Sequence, residues 1–133
     1  YEAIHLLLKE FAAYIISPDH VGTTPEQMLE DQEHFHAIIT LDGERIIGFA
    51  SYFIAYYSWS GKAIYLDDLY VQDKYRGKGI GSSLFDHIVE IAKQKHCKKV
   101  RWQVSNWNTK AIEFYTKRGA TIDTVEINCD LML

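Results

Sequence analysis

A mixed α/β fold in one domain, residues 1–133, is predicted by three features of the sequence. It opens with a helical pair, continues as an antiparallel meander, and alternates helix with strand through its second half. At 133 residues the chain fits a single unit of roughly 150 residues. A content of 47% hydrophobic and 24% charged residues is ordinary for a globular core and speaks against disorder or a coiled coil.

The elements follow in order. Ile4, Leu7, Leu8, Phe11 and Ile15 form one apolar stripe at helical spacing, and Ser17-Pro18-Asp19 breaks that helix. Thr24 reads as the cap of a second helix, with Pro25 at its first position and Gln27 closing a capping box. Residues 36–40 change to a strand pattern. Asp42-Gly43 is a two-residue hairpin turn, and the return strand runs from Arg45 to about Tyr57. Ser58-Trp59-Ser60-Gly61 turns the chain into a third strand over residues 63–71, rich in Ile, Tyr, Leu and Val. Gly77-Lys78-Gly79-Ile80-Gly81 then leads into a helix with Ile80, Leu84, Ile88 and Ile91 on one face. Residues 98–104 are expected to form a strand. Asn108 starts a shorter helix through Ile112 and Tyr115 that Gly119 stops, and residues 122–133 read mostly as a last strand.

Composition narrows the function. The net charge is −4, and no basic block accompanies the aromatic residues, which argues against nucleic acid as the main partner. Apolar runs such as Ile46-Ile47-Gly48-Phe49-Ala50 are too short to span a bilayer, and no secretory segment is visible at the start, so no membrane partner is expected. Cys97 and Cys129 are too few for a disulfide scaffold, which points to a reducing, cytoplasmic setting. An acidic protein suits a cationic small substrate.

The glycine-rich turn carries the first chemical signal. After a strand and before an amphipathic helix, its N–H groups converge on one point with the positive end of the helix dipole behind them, as a phosphate or pyrophosphate requires. Glycines permit close approach and left-handed dihedrals, and Arg76 and Lys78 add charge at the rim. A plain flexible turn is the alternative. A P-loop is excluded because Gly-Lys-Ser/Thr does not occur at the required spacing. A dinucleotide-binding unit is disfavoured because the glycines follow an antiparallel meander and are spaced one residue short.

On these residues the chain resembles the GCN5-related N-acetyltransferases (GNAT), whose acetyl-CoA motif is matched by Arg76, Gly79 and Gly81. The segments from Tyr65 to Val71, Tyr75 to Gly81, and Trp107 to Tyr115, closed by Gly119-Ala120, are similar to the diamine (spermidine/spermine) and thialysine acetyltransferase branch. So are Phe49-Ala50-Ser51-Tyr52-Phe53 and Trp59-Ser60-Gly61-Lys62, and the likeness spans residues 6–120. Two positions depart from the branch: Ile15 stands where it carries Glu, and Asp67 where the longer Glu is usual. The segment after Gly119 is also shorter than in the branch.

The resemblance implies a mixed, mostly antiparallel central sheet flanked by helices, with the family's first strand missing from the chain and a sheet edge left for something to cover. It implies acetyl-CoA as acetyl donor, held in a cleft between the strand ending at Val71 and the strand ending near Val104. Leu69, Tyr70 and Val71 would face the pantetheine arm, and Arg76, Gly77, Lys78, Gly79, Ile80, Gly81 and Ser82 the pyrophosphate. Asn108, Thr109, Lys110 and Ala111 would flank the cofactor arm. Tyr115 would be the acid that protonates the departing thiolate, and Asp67 the carboxylate that contacts the amine. Tyr14, Asp68, Trp102 and Gln103 would line the acceptor site. A homodimer is common in the family.

The chemistry is consistent with those residue types. An amine with a pKa of about 10 must lose a proton before it attacks a thioester, whereas a carboxylate of pKa about 4 is a feeble base unless burial raises it. Asp67 is therefore expected mainly to orient the ammonium, with proton loss through water. A strand N–H, that of Leu69 or a neighbour, would stabilise the thioester oxygen. The plainer readings stand beside these. Tyr115 could be a core tyrosine, one of Asp67 and Asp68 a solvated strand residue, and Trp102 and Trp107 packing residues. Lys93, Lys95, Lys98 and Lys99 could be a solvated helix end or touch the 3′-phosphate of CoA. His34 and His36 share a strand face on this reading but lack a third metal ligand, so no metal is expected. The expected activity is N-acetyl transfer to a primary amine of a diamine, polyamine or lysine-like molecule. The rivals are a protein or peptide N-acetyltransferase and a non-catalytic acyl-CoA-binding module.

Overall fold

The computed structural model describes residues 1–14 and 21–133, Tyr14 by its backbone alone. The Ser17-Pro18-Asp19 break and Ile15 lie outside the described residues. Two compact units result, Tyr1–Trp102 and Gln103–Leu133.

The first unit contains α1 (Glu2–Tyr14), α2 (Pro25–Glu30), β1 (His36–Asp42), β2 (Arg45–Tyr57), β3 (Gly61–Val71), α3 (Ile80–Gln94) and β4 (Lys99–Arg101). The sheet order is β1-β2-β3-β4; the first two pairings are antiparallel and β3–β4 is parallel. This is the expected mixed, mostly antiparallel sheet with helices against it. Strand alternation sets the layers. Phe49 pairs with Tyr70, and both join Leu7 of α1 in a buried cluster that Phe11 extends by stacking on Tyr70 at 5.4 Å. Ala50, Leu69 and Val71 take the other face, where α3 packs through Leu84, Phe85, Ile88 and Ala92, all buried.

Local chemistry sets several boundaries. The Thr24 side chain accepts from the Gln27 N–H at 3.2 Å and the Gln27 side chain accepts from the Thr24 N–H at 3.1 Å, the reciprocal box read from the sequence. The hairpin turn sits one residue later than expected. Asp42 pairs with Arg45, so Gly43 and Glu44 form the turn, and Gly43 takes the positive φ of 62° that it needs. β4 is three residues long instead of the predicted 98–104. It pairs only with Ala63, Ile64 and Tyr65, and the ladder ends two residues before Asp67, where the regular spacing of β3 breaks.

The second unit holds α4 (Thr109–Lys117). The Asn108 side chain accepts from the Ala111 N–H at 3.3 Å, and Gly119 (φ 89°) ends the helix, as predicted. Residues 122–133 do not form the expected strand. Apolar residues there have the right composition, but a strand exists only as part of a ladder. The backbone instead turns on Asp123, whose Oδ1 accepts from the N–H groups of Val125 and Glu126 at 2.8 and 3.3 Å, and Val125, Ile127 and Leu131 are exposed.

Candidate active site

The pairing of β2 with β3 skips one residue. Tyr52 faces Leu66 and Ser51 faces Asp68, so Asp67 is a bulge with no partner on β2. The plain alternation expected for the two aspartates is therefore broken at this point. Uninterrupted pairing would set Asp67 against Ser51 and send Asp68 to the apolar face beneath α3. The extra residue brings Asp68 opposite Ser51 instead, and the Ser51 hydroxyl donates to Asp68 Oδ2 at 2.5 Å. Burial and the neighbouring Asp67 charge push the Asp68 carboxyl up to about 6, against the pull of the Ser51 hydrogen bond. Asp67 carries the more exposed side chain, and its carboxyl is raised by partial burial alone. The sequence reading missed both the bulge and Ser51. Two consecutive aspartates inside a strand were the available signal, because Asp is depleted in regular strands.

Beyond the bulge β3 has a bare edge. Among the described residues β4 pairs only as far as Tyr65, and the remainder of β3 has no partner strand on that side. The N–H of Gln72 donates to the Ile47 carbonyl, so the even positions just before it turn their backbone groups toward β2. Leu69 and Val71 consequently turn theirs to the free edge. The Val71 carbonyl there accepts from Arg76 Nε at 2.9 Å.

That contact anchors the glycine loop. Arg76 also pairs with Asp73 at 3.0 Å and lies over the Tyr70 ring, so its guanidinium is engaged by the protein as well as lying at the rim. Tyr75 donates to Asp42 at 2.8 Å and supports Lys78, whose Nζ is 5.6 Å from its ring centre. Gly77 and Gly79 hold φ values of 77° and 80°, with open space where a Cβ would point. Gly79 caps α3 without a side-chain hydrogen bond, and the first ladder bond runs from the Ser83 N–H to the Gly79 carbonyl. The N–H groups of Ile80, Gly81 and Ser82 thus precede the ladder at the positive end of a 15-residue helix. Open glycines and unladdered donors fit the pyrophosphate of a CoA thioester.

The other predicted residues are placed as follows. Tyr70 is buried against α1 and donates to Glu10 at 3.1 Å, while Trp102 meets Phe85 edge-on at 5.3 Å. Tyr14 closes α1, and its side chain is outside the described residues. In the second unit Gln103 donates to Asn128 at 2.6 Å; Thr109, Lys110 and Ala111 form the first turn of α4, and burial raises the Tyr115 phenol above its ordinary value. His34 lies in the turn before β1, so it does not share a strand face with His36, which stacks on Tyr52. Among the described residues no three His, Cys, Asp or Glu side chains are grouped to hold a metal ion, and no helix is long and apolar enough to cross a membrane.

A strand freed on one edge runs into a glycine-rich helix start that has no side-chain cap, an arrangement that fits an acyl-thioester donor. The chain matches the acetyltransferase (GNAT) family over residues 2–120 and belongs to it; it is an acyltransferase. Members of that family generally take acetyl-CoA as donor. The chain is similar to the thialysine N-epsilon-acetyltransferase of Sus scrofa, 32% identical over 126 residues that cover 86% of this chain and 74% of that protein. It is also similar to the spermidine/spermine N(1)-acetyltransferase-like protein 1 of Homo sapiens, 34% identical over 125 residues, 86% of this chain and 18% of that one. Among solved structures, an aminoglycoside acetyltransferase from an uncultured soil metagenomic sample shares the fold, with a TM-score of 0.79 at 20% identity, over 98% of this chain and 87% of that one.

Proposed function

We propose that the chain transfers an acetyl group from acetyl-CoA directly to a primary amine of a small diamine, polyamine or lysine-like molecule. The observation that carries this reading is the carboxylate pair Asp67 and Asp68 at a strand bulge, next to the free backbone edge that leads to the glycine loop. The two relatives named for thialysine and for spermidine/spermine support a small amine as acceptor.

Ile80, Gly81 and Ser82, with Gly77, Lys78 and Gly79, would hold the pyrophosphate. Leu69 and Val71 offer the pantetheine arm their edge groups, and Asn108, Thr109, Lys110 and Ala111 are assigned to the same arm. Acetyl-CoA, when bound, supplies the acetyl group as an activated thioester. An ammonium of pKa about 10 arrives protonated at neutral pH. Asp67 orients it and Asp68 shares its charge, so that the proton leaves through water and the amine attacks. The Leu69 N–H, on the free edge, would donate to the thioester oxygen as negative charge develops there. Tyr115 would be the acid that gives its phenolic proton to the departing sulfur. A phenol raised by burial stays protonated across the neutral range, as an acid must. Tyr14, Trp102 and Gln103 are assigned to the acceptor by the family resemblance alone. The reading includes a cytoplasmic setting, supported by two free cysteines, and a homodimer that covers the β1 edge, where Ile39 and Leu41 are exposed.

The test is thiol release from acetyl-CoA against putrescine, spermidine, spermine, lysine, thialysine and short peptides. Turnover on a small amine, lost in Tyr115→Phe while CoA affinity is kept, is the expected result. Turnover on peptides alone, or tight CoA binding with none at all, overturns the reading.

A further inference from the structure

We propose that Ser51 is a positioning residue of this site: from β2 it reaches across the bulge and holds the Asp68 carboxylate in place as the anion that, beside Asp67, shares the charge of the amine. The inference deepens the amine-acetyltransferase reading and rests on it.

Ser51 is the one polar side chain in the run Gly48-Phe49-Ala50-Ser51-Tyr52-Phe53 apart from the Tyr52 phenol, and it is 1% exposed. A hydroxyl buried so deeply is costly unless it is bonded, and packing alone would be served by alanine or another apolar residue. Its bond goes to Asp68 Oδ2 at 2.5 Å. The bulge makes this contact, because it shifts Asp68 into the register opposite Ser51. Among the described residues Asp68 Oδ1 has no hydrogen-bond partner, so one carboxylate oxygen is pinned and the other is left for a substrate N–H.

Two groups face this carboxylate, Asp67 on β3 and Ser51 on β2, and they pull in opposite directions. Asp67 and burial favour the neutral acid; the Ser51 donor favours the anion. Losing the hydroxyl leaves only the first two influences, so Asp68 takes up its proton at higher pH and a cationic amine loses its counter-charge.

The experiment is the pH profile of kcat/KM for the best small amine in wild type, Ser51→Ala and Ser51→Thr. A parallel 13C titration of the Asp68 carboxyl is made in each. In Ser51→Ala the acid limb and the carboxyl titration should both move up by about one pH unit, which lowers kcat/KM about fivefold at pH 6. The amine KM should rise and the acetyl-CoA KM should stay put. Ser51→Thr, which keeps the donor, should restore both limbs. An unmoved acid limb and an unmoved carboxyl titration in a folded Ser51→Ala would overturn the proposal while leaving the transferase reading intact. A wild type with no turnover on any amine would overturn that reading first.

Discussion

Gly48 of β2 lies so close to Tyr70 of β3 that a Cβ at position 48 would stand 2.9 Å from the Tyr70 carbonyl oxygen. The contact is with backbone, so relief would require the two strands to separate at the end of β3 that runs into the glycine loop.

Gly48→Ala should therefore destabilise the protein by about 1–3 kcal/mol, the usual range for forced overpacking. Thermal unfolding checks this, and the variant should also bind CoA more weakly because the strand end moves. An unchanged Tm would mean that the two strands have slack at this point.

Gly79→Ala probes the loop by a different route. Nothing crowds a Cβ there, but the φ of 80° costs a non-glycine residue about 1–2 kcal/mol. If the backbone relaxes to escape that strain, the three donor N–H groups lose their convergence. The expected result is a CoA dissociation constant raised tenfold or more, read by calorimetry, with a fall in Tm no larger than Gly48→Ala gives.

Asp68→Asn should raise stability at neutral pH and lower turnover. The folded-state carboxyl titrates at about 6, above the ordinary 3.8. The folded protein therefore holds this proton more tightly than the unfolded chain does. Stability is lost as pH rises from about 4 to about 6, and the loss is complete above that window. A rise of about two units corresponds to about 3 kcal/mol at neutral pH. Asparagine has no charge to desolvate and can still accept from Ser51. Denaturant unfolding should show Asp68→Asn ahead of wild type at pH 7.5 and level with it at pH 4. An equal difference at both pH values would contradict the burial of this charge.

Much of this architecture was readable in the chain because local chemistry determines it. The Thr24–Gln27 box, the Asn108 cap, the Gly119 stop and the span of β2 depend on residues a few positions apart. What was not readable depends on partners distant in sequence. Residues 122–133 have strand-forming composition, yet they join no ladder, and Asp123 takes the N–H groups of Val125 and Glu126. β4 ends at the last position that pairs with another strand, Arg101 opposite Tyr65 of β3. The site divides in the same way. The glycine loop is legible from its own residues, whereas the Ser51–Asp68 bond exists only because Asp67 is left out of a pairing between segments 17 residues apart.

Direct acetyl transfer to a small amine is tested by the initial velocity of thiol release with acetyl-CoA and the amine varied together. Direct attack requires both substrates on the enzyme at once, so the double-reciprocal lines should intersect, and the amine should appear as its N-acetyl product. Parallel lines, the mark of an acetylated enzyme that releases CoA before the amine binds, would rule out direct attack.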